Sequence, residues 1–274
     1  MKNTSAKSIR RTLTTLAIVA AGVSSGGARA DLANGIVDQW SVGVVAQFLC
    51  GTVVWTGSAQ SCAAQTMSWG SGGVSGLDIT NPAGATIVNT NGPSVPNVAI
   101  THRNQPITGS TLDEVKLRST LTLTPFSPPD TGLPSASLDF LIDFQETPNG
   151  ADPCANGGVN GVGVNVNGCG DIFVIDQGAL NFAFQYDLGT GQGAKTYFIS
   201  FFEQTGGLNP LPVAACNAVG VTSPCLGFVT PESQSTTFNF AAVITTKPVE
   251  IPVPGTLVSV GLGLLLLGLR RRRA

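Results

Sequence analysis

Val115-Lys-Leu-Arg-Ser-Thr-Leu-Thr-Leu123 decides the fold. Val115, Leu117, Leu121 and Leu123 point one way, and Lys116, Arg118, Thr120 and Thr122 point the other. Successive side chains of a β-strand project to opposite faces, so this period of two describes a strand with one buried and one wet face. Residues 138–144 repeat the pattern, with Leu138, Phe140, Ile142 and Phe144 opposite Asp139 and Asp143. Residues 236–244 place Phe238, Phe240, Ala242 and Ile244 on one face. Shorter apolar runs at 40–48, 53–56, 66–69, 85–89, 97–102, 171–175, 180–186 and 195–203 are further strand candidates, separated by Gly, Asn, Thr, Ser and Pro. Between residues 31 and 244 no amphipathic helix and no repeat of fixed period is evident. Many short strands without intervening helices imply an all-β fold, an antiparallel sandwich of jelly-roll type.

The two ends have a different composition. Residues 1–30 read as a secretory signal peptide: Lys2, Lys7, Arg10 and Arg11 precede the apolar run 13–22, and Ala28 and Ala30 supply the small residues of a cleavage site before Asp31. Residues 245–254 form a Pro-containing linker, and residues 255–274 a short apolar segment closed by Arg270, Arg271, Arg272 and Arg273. As a helix, the uncharged stretch 255–269 would be about 22 Å long, short of a hydrocarbon core of about 30 Å. The arginines suit snorkelling and cytoplasmic retention. The exported domain is therefore expected to be residues 31–244.

Removing the ends changes the charge. All 16 acidic residues lie within 31–250, against five basic ones (Arg103, Lys116, Arg118, Lys195 and Lys247), a net charge of −11 where the whole chain has −2. That balance argues against nucleic acid and anionic membrane surfaces as partners. Cys50, Cys62, Cys154, Cys169, Cys216 and Cys225 include no CxxC pair, which disfavours zinc ribbons and thioredoxin-like redox motifs. In an exported chain an even count reads as disulfides, and the sequential pairs 50–62, 154–169 and 216–225 each close a short loop.

The layout of the ends resembles the PEP-CTERM class of exported bacterial proteins, in which a Pro-Glu-Pro signature precedes a short span and an arginine cluster. Pro252 and Pro254 match that signature, and Val253 stands where Glu is usual. Ile100-Thr-His-Arg-Asn-Gln-Pro-Ile-Thr108 resembles the motif of the THxN family within this class, with Thr101, His102 and Asn104 matching ahead of Pro106. Leu121-Thr-Leu-Thr-Pro125, Phe144-Gln-Glu-Thr-Pro-Asn149, Cys169-Gly-Asp-Ile-Phe-Val174 and Gly227-Phe-Val-Thr-Pro-Glu232 are similar to other stretches of that family. The resemblance implies processing by signal peptidase and an exosortase-type enzyme, transient insertion in the inner membrane, and delivery to the cell surface or to an exopolysaccharide-rich matrix or biofilm. It implies no catalytic activity.

His102 is the only histidine, which excludes two-His zinc sites. No Gly-x-Ser-x-Gly elbow accompanies it. The expected role of Thr101, His102 and Asn104 is to tie a turn after a strand through hydrogen bonds to backbone. Asp143, Glu146, Asp152 and Asp171 are the candidate ligands for calcium, because a Cys154–Cys169 bridge would bring Asp171 towards the strand end at Glu146. A solvated acidic face is the competing account. Trp40, Trp55, Trp69, Tyr186 and Tyr197 are expected in the core rather than on a sugar-stacking surface. The expected function is a structural or adhesive surface protein without catalysis or cofactor. A carbohydrate-binding module, calcium-assisted or not, is the first alternative, and a secreted hydrolase the second.

Overall fold

The computed structural model describes residues 34–58, 60–175, 181–204 and 209–249. The expected signal peptide, with its cleavage site at Ala28, Ala30 and Asp31, lies outside the described residues. So do Pro252, Val253, Pro254, the apolar tail and Arg270, Arg271, Arg272 and Arg273. Among the described residues no helix is long and apolar enough to cross a membrane.

The first eight strands are β1 (Gln39–Phe48), β2 (Val54–Thr56), β3 (Gln60–Cys62), β4 (Thr66–Trp69), β5 (Ser75–Thr80), β6 (Thr86–Asn89), β7 (Val95–Asn104) and β8 (Thr111–Ser127). Then follow β9 (Ala136–Gln145), β10 (Asp171–Ile175), β11 (Phe182–Tyr186), β12 (Lys195–Glu203), β13 (Asn209–Pro210), the helix α1 (Val213–Ala218), β14 (Leu226–Thr230) and β15 (Gln234–Thr245). They form two antiparallel sheets. One has the order β13-β14-β10-β9-β8-β1-β6, with β2 also paired to β8, and the other the order β11-β12-β15-β7-β5-β4-β3.

The stretch 115–123 lies in the middle of β8, which extends well beyond it on both sides. β8 pairs with β9 from Glu114↔Asp143 to Leu121↔Ala136 and with β1 from Gln39↔Ser127 to Phe48↔Leu117. Val115, Leu117, Leu121 and Leu123 are buried between the sheets as expected. On the wet face Arg118 makes a two-pronged ion pair with Asp139, its register partner, at 2.6 and 2.7 Å. Exposed pairs of this kind add little stability, so packing between the sheets dominates. Trp40 is wholly buried and meets Phe184, Tyr186 and Tyr197 edge-on at 5.2–5.4 Å. Trp69 and Tyr197 are also buried, while Trp55 and Tyr186 are half-buried against the same core.

Several elements were not expected. β3 and β5 contain too few apolar residues to signal a strand. β14 is almost continuously buried, so it shows no alternation. α1 is only six residues long and too short for a helical period to register. Its Ala215 and Cys216, with Cys225, pack on Ile172 and Val174. That second layer explains why β10 is buried on both faces. In β15 a register shift between Asn239 and Ala241 breaks the expected face: residues 241–244 are all buried and Phe240 is not.

The three disulfides join Cys50–Cys62, Cys154–Cys169 and Cys216–Cys225, as the spacing suggested. Leu121→Ala is expected to cost about 2–5 kcal/mol in denaturant unfolding, because it opens a cavity between the sheets. Lys116→Ala, on the wet face, should stay within about 0.5 kcal/mol. Equal effects at the two positions would contradict the assigned faces.

Candidate functional site

Four strands carry their inward alternation past the apolar core to polar residues at one end of the sandwich. On β9 the inward series Phe140, Ile142, Phe144 continues to Glu146. On β10 it runs from Ile175 and Phe173 to Asp171. On β14 Phe228 leads to Thr230 and, just past the strand, to Glu232. From the opposite sheet, β7 contributes His102 and Asn104 after Val98 and Ile100. His102, Asn104, Asp171, Thr230 and Glu232 each have 0 % of their surface exposed, and Glu146 is partly buried.

Aromatic rings form the floor. Trp69 stacks on His102 at 5.8 Å, and Phe144 and Phe173 meet the imidazole edge-on at 5.7 and 4.7 Å. Burial holds the His102 pKa down to about 3, with the nearby Arg103 charge adding to the effect. The ring is therefore neutral. His102 Nδ1 and Thr230 Oγ1 share a hydrogen bond at 2.8 Å, Thr230 Oγ1 also lies 3.4 Å from the Asp171 carbonyl oxygen, and His102 Nε2 is buried without a partner. Asn104 Nδ2 donates to the Thr230 carbonyl oxygen at 3.2 Å.

Contrary to expectation, Thr101, His102 and Asn104 thus do not tie a turn. They lie inside β7, where the inward-facing pair binds Thr230 of the opposite sheet. The outward Thr101 Oγ1 meets Thr237 Oγ1 of β15 at 2.8 Å. The turn begins only after Asn104, and Pro106 sits exposed within it.

Glu146, Asp171 and Glu232 offer oxygens that lie within 4.8 Å of one another. One Glu146 oxygen accepts from Trp69 Nε1 (3.1 Å), and one Asp171 oxygen accepts from the Thr147 backbone N–H (2.9 Å). Asp171 Oδ2, both Glu232 oxygens, Asn104 Oδ1 and Asn149 Oδ1 are buried without a hydrogen-bond partner. Such groups cost about 1–3 kcal/mol each. Burial raises Glu146 and Glu232 to about 7 and lifts Asp171 well above the usual carboxylate range. The Trp69 and Thr147 N–H groups and the Asn104 amide oppose these shifts, whereas the mutual repulsion of the carboxylates adds to those of Glu146 and Asp171. The arrangement suits either shared protons or a hard cation.

The expected ligand set is therefore corrected. Glu146 and Asp171 do meet. Asp143 belongs to the outer face of β9, opposite to Phe144, and Asp152 is exposed in the turn before Cys154. Glu232 was missed, although Phe228-Val-Thr-Pro-Glu232 continues an inward period of two. Four of the five stretches that carried the family resemblance converge here; the fifth, 121–125, runs along β8. No protein-family profile matches this chain, and no curated protein matches it significantly.

His102→Ala is expected to cost about 2–4 kcal/mol, since it leaves a cavity among Trp69, Phe144 and Phe173 and strips Thr230 of a partner. A cost under about 0.5 kcal/mol would contradict the cross-sheet role. The pH dependence has two parts. The carboxyls hold protons more tightly when folded, so their contribution is full below about pH 4 and is lost as pH rises through 7. His102 acts oppositely, removing stability as pH falls below about 6.5. The carboxyls outnumber it, so with chelator present the melting temperature should fall from pH 5 to pH 8. Glu232→Gln should flatten that fall, and a rise over the same range would contradict the buried cluster.

Proposed function

We propose that this chain is an exported surface or extracellular-matrix protein, delivered by its N-terminal signal and a PEP-CTERM-type tail. Its jelly-roll-like sandwich acts as a structural or adhesive module without a catalytic step. The observation that carries the reading is the trio of disulfides, each closing a loop of its own. Such bonds persist in oxidising compartments and are rare in the cytosol. The net charge of −11 over residues 31–250 supports solubility outside the cell and an affinity for cations or neutral polysaccharide rather than nucleic acid.

A carbohydrate-binding role ranks second. It needs exposed aromatic platforms, and Trp40, Trp69 and Tyr197 are enclosed in the core. A hydrolase ranks third. Glycoside hydrolysis uses carboxyls about 5–9.5 Å apart on either side of a bound sugar. Here the oxygens lie within 4.8 Å, and Asp171, Glu232 and His102 face no solvent. In this reading signal peptidase and an exosortase-type enzyme are the processing partners, and exopolysaccharide is the surrounding matrix.

Intact mass of the protein recovered from the surface or medium of the producing cell tests the reading. The expected chain begins at Asp31, ends near Pro254 and lacks six thiol hydrogens. A product that keeps Met1 and the four arginines, or six free thiols, would contradict it.

A further inference from the structure

We propose that Glu146, Asp171 and Glu232 hold one calcium ion in the closed end of the sandwich, with the side-chain oxygens of Asn104 and Asn149 completing the shell. This goes beyond the delivery reading and does not rest on it. Oxygens bound to a common calcium ion each lie about 2.3–2.6 Å from it, so no two can be more than about 5 Å apart. The three carboxylates, with oxygens within 4.8 Å of one another, meet that limit.

The second observation is independent of the acidic cluster. Asn104 is wholly buried with its side chain against Glu232; its Nδ2 donates to the Thr230 carbonyl, and its Oδ1 has no partner. Asn149 Oδ1 is likewise buried and unpartnered. Gly168 separates Asn149 from Glu232: a Cβ there would lie 3.3 Å from Asn149 Cβ and 3.5 Å from Glu232 Cγ. Five of the seven buried, unpartnered side-chain oxygens among the described residues thus belong to Asn104, Asn149, Asp171 and Glu232.

The surrounding hydrogen bonds orient this set as an outer shell does in metal sites. The Trp69 and Thr147 N–H groups each anchor one oxygen of Glu146 and Asp171. Among the described residues the ion pairs are Arg103–Asp78 and Arg118–Asp139, so no side-chain cation neutralises the cluster. The donor set is all oxygen, which disfavours zinc and copper. Magnesium keeps several waters and demands a tight octahedron, whereas calcium accepts a dry, irregular shell of carboxylates and amide carbonyls.

Access and closure are also built in. A groove lined by Ile107, Thr108, Thr111, Pro148 and Asn149 opens onto Glu146. The loop closed by Cys154–Cys169 forms the roof, and Asn167 Nδ2 donates to the Glu232 carbonyl oxygen at 3.1 Å. The ion would join both sheets, through Asn104 on one side and the three carboxylates on the other.

The test is calorimetric titration of calcium into the full chain, purified in detergent and stripped with EGTA, with melting temperature followed in parallel. One ion should bind per chain and raise the melting temperature, with magnesium at least tenfold weaker. Glu232→Gln should weaken calcium at least tenfold, and so should the half-buried Glu146→Gln, which covers the case in which the first variant fails to fold. Terbium bound in the site should luminesce on tryptophan excitation, since Trp69 Nε1 lies 3.1 Å from a Glu146 oxygen, and added calcium should quench that signal by displacing it. No heat and no thermal shift in the stripped protein would overturn the proposal. Equal binding of magnesium, or calcium binding undiminished in the folded glutamine variants, would do so too.

Discussion

Desolvation of three carboxyl groups at one end of a two-sheet core is the constraint on which the rest of the site depends. A strand must send every second side chain inward, whatever that side chain is. Along β7, β9, β10 and β14 the inward positions are apolar through the middle and oxygen-bearing at one end. Asp171 could not turn outward without also exposing Phe173, since a slip of one residue inverts a whole strand, and Glu146 and Glu232 follow directly on the inward positions Phe144 and Thr230 at their strand ends. The aromatic core thereby forces the acids together.

That forced meeting gives meaning to the neighbouring loops. The Cys154–Cys169 loop closes over Glu232, and the turn after β9 supplies the Thr147 N–H and the Asn149 amide. His102 contributes no oxygen. Its neutral ring fills the space among Trp69, Phe144 and Phe173 and reaches across to Thr230, which fixes the spacing of the sheets beside the carboxyls. Cross-sheet polar contacts of this kind stabilise when every partner is satisfied and destabilise when one is not. The unpartnered oxygens are therefore the part of the structure with the most to gain from a ligand.

The sandwich was legible because Val115, Leu117, Leu121 and Leu123 alternate so cleanly, and Phe140, Ile142 and Phe144 likewise. The disulfides were legible because each pair closes a short loop. Glu146 and Asp171 were recognisable as acids near strand ends. Asp143 misled because it neighbours Glu146 in sequence, yet parity places it on the other face of β9. Glu232 was hidden because β14 is buried almost throughout, so its inward series Phe228, Thr230, Glu232 does not stand out from its neighbours. The Thr101-His102-Arg103-Asn104 segment looked like a turn because Pro106 follows. Ladder pairing with β5 and β15 keeps it a strand, its inward His102 reaches Thr230 128 residues away, and no local signal reveals such distant partners.

The most direct measurement is an anomalous difference map from crystals grown with calcium and then soaked in terbium. A single peak bonded to oxygens of Glu146, Asp171, Glu232 and Asn104 is the predicted result. A map without a peak, in which the three carboxyl groups are hydrogen-bonded to one another, would contradict the account and leave a proton-sharing acid cluster in its place.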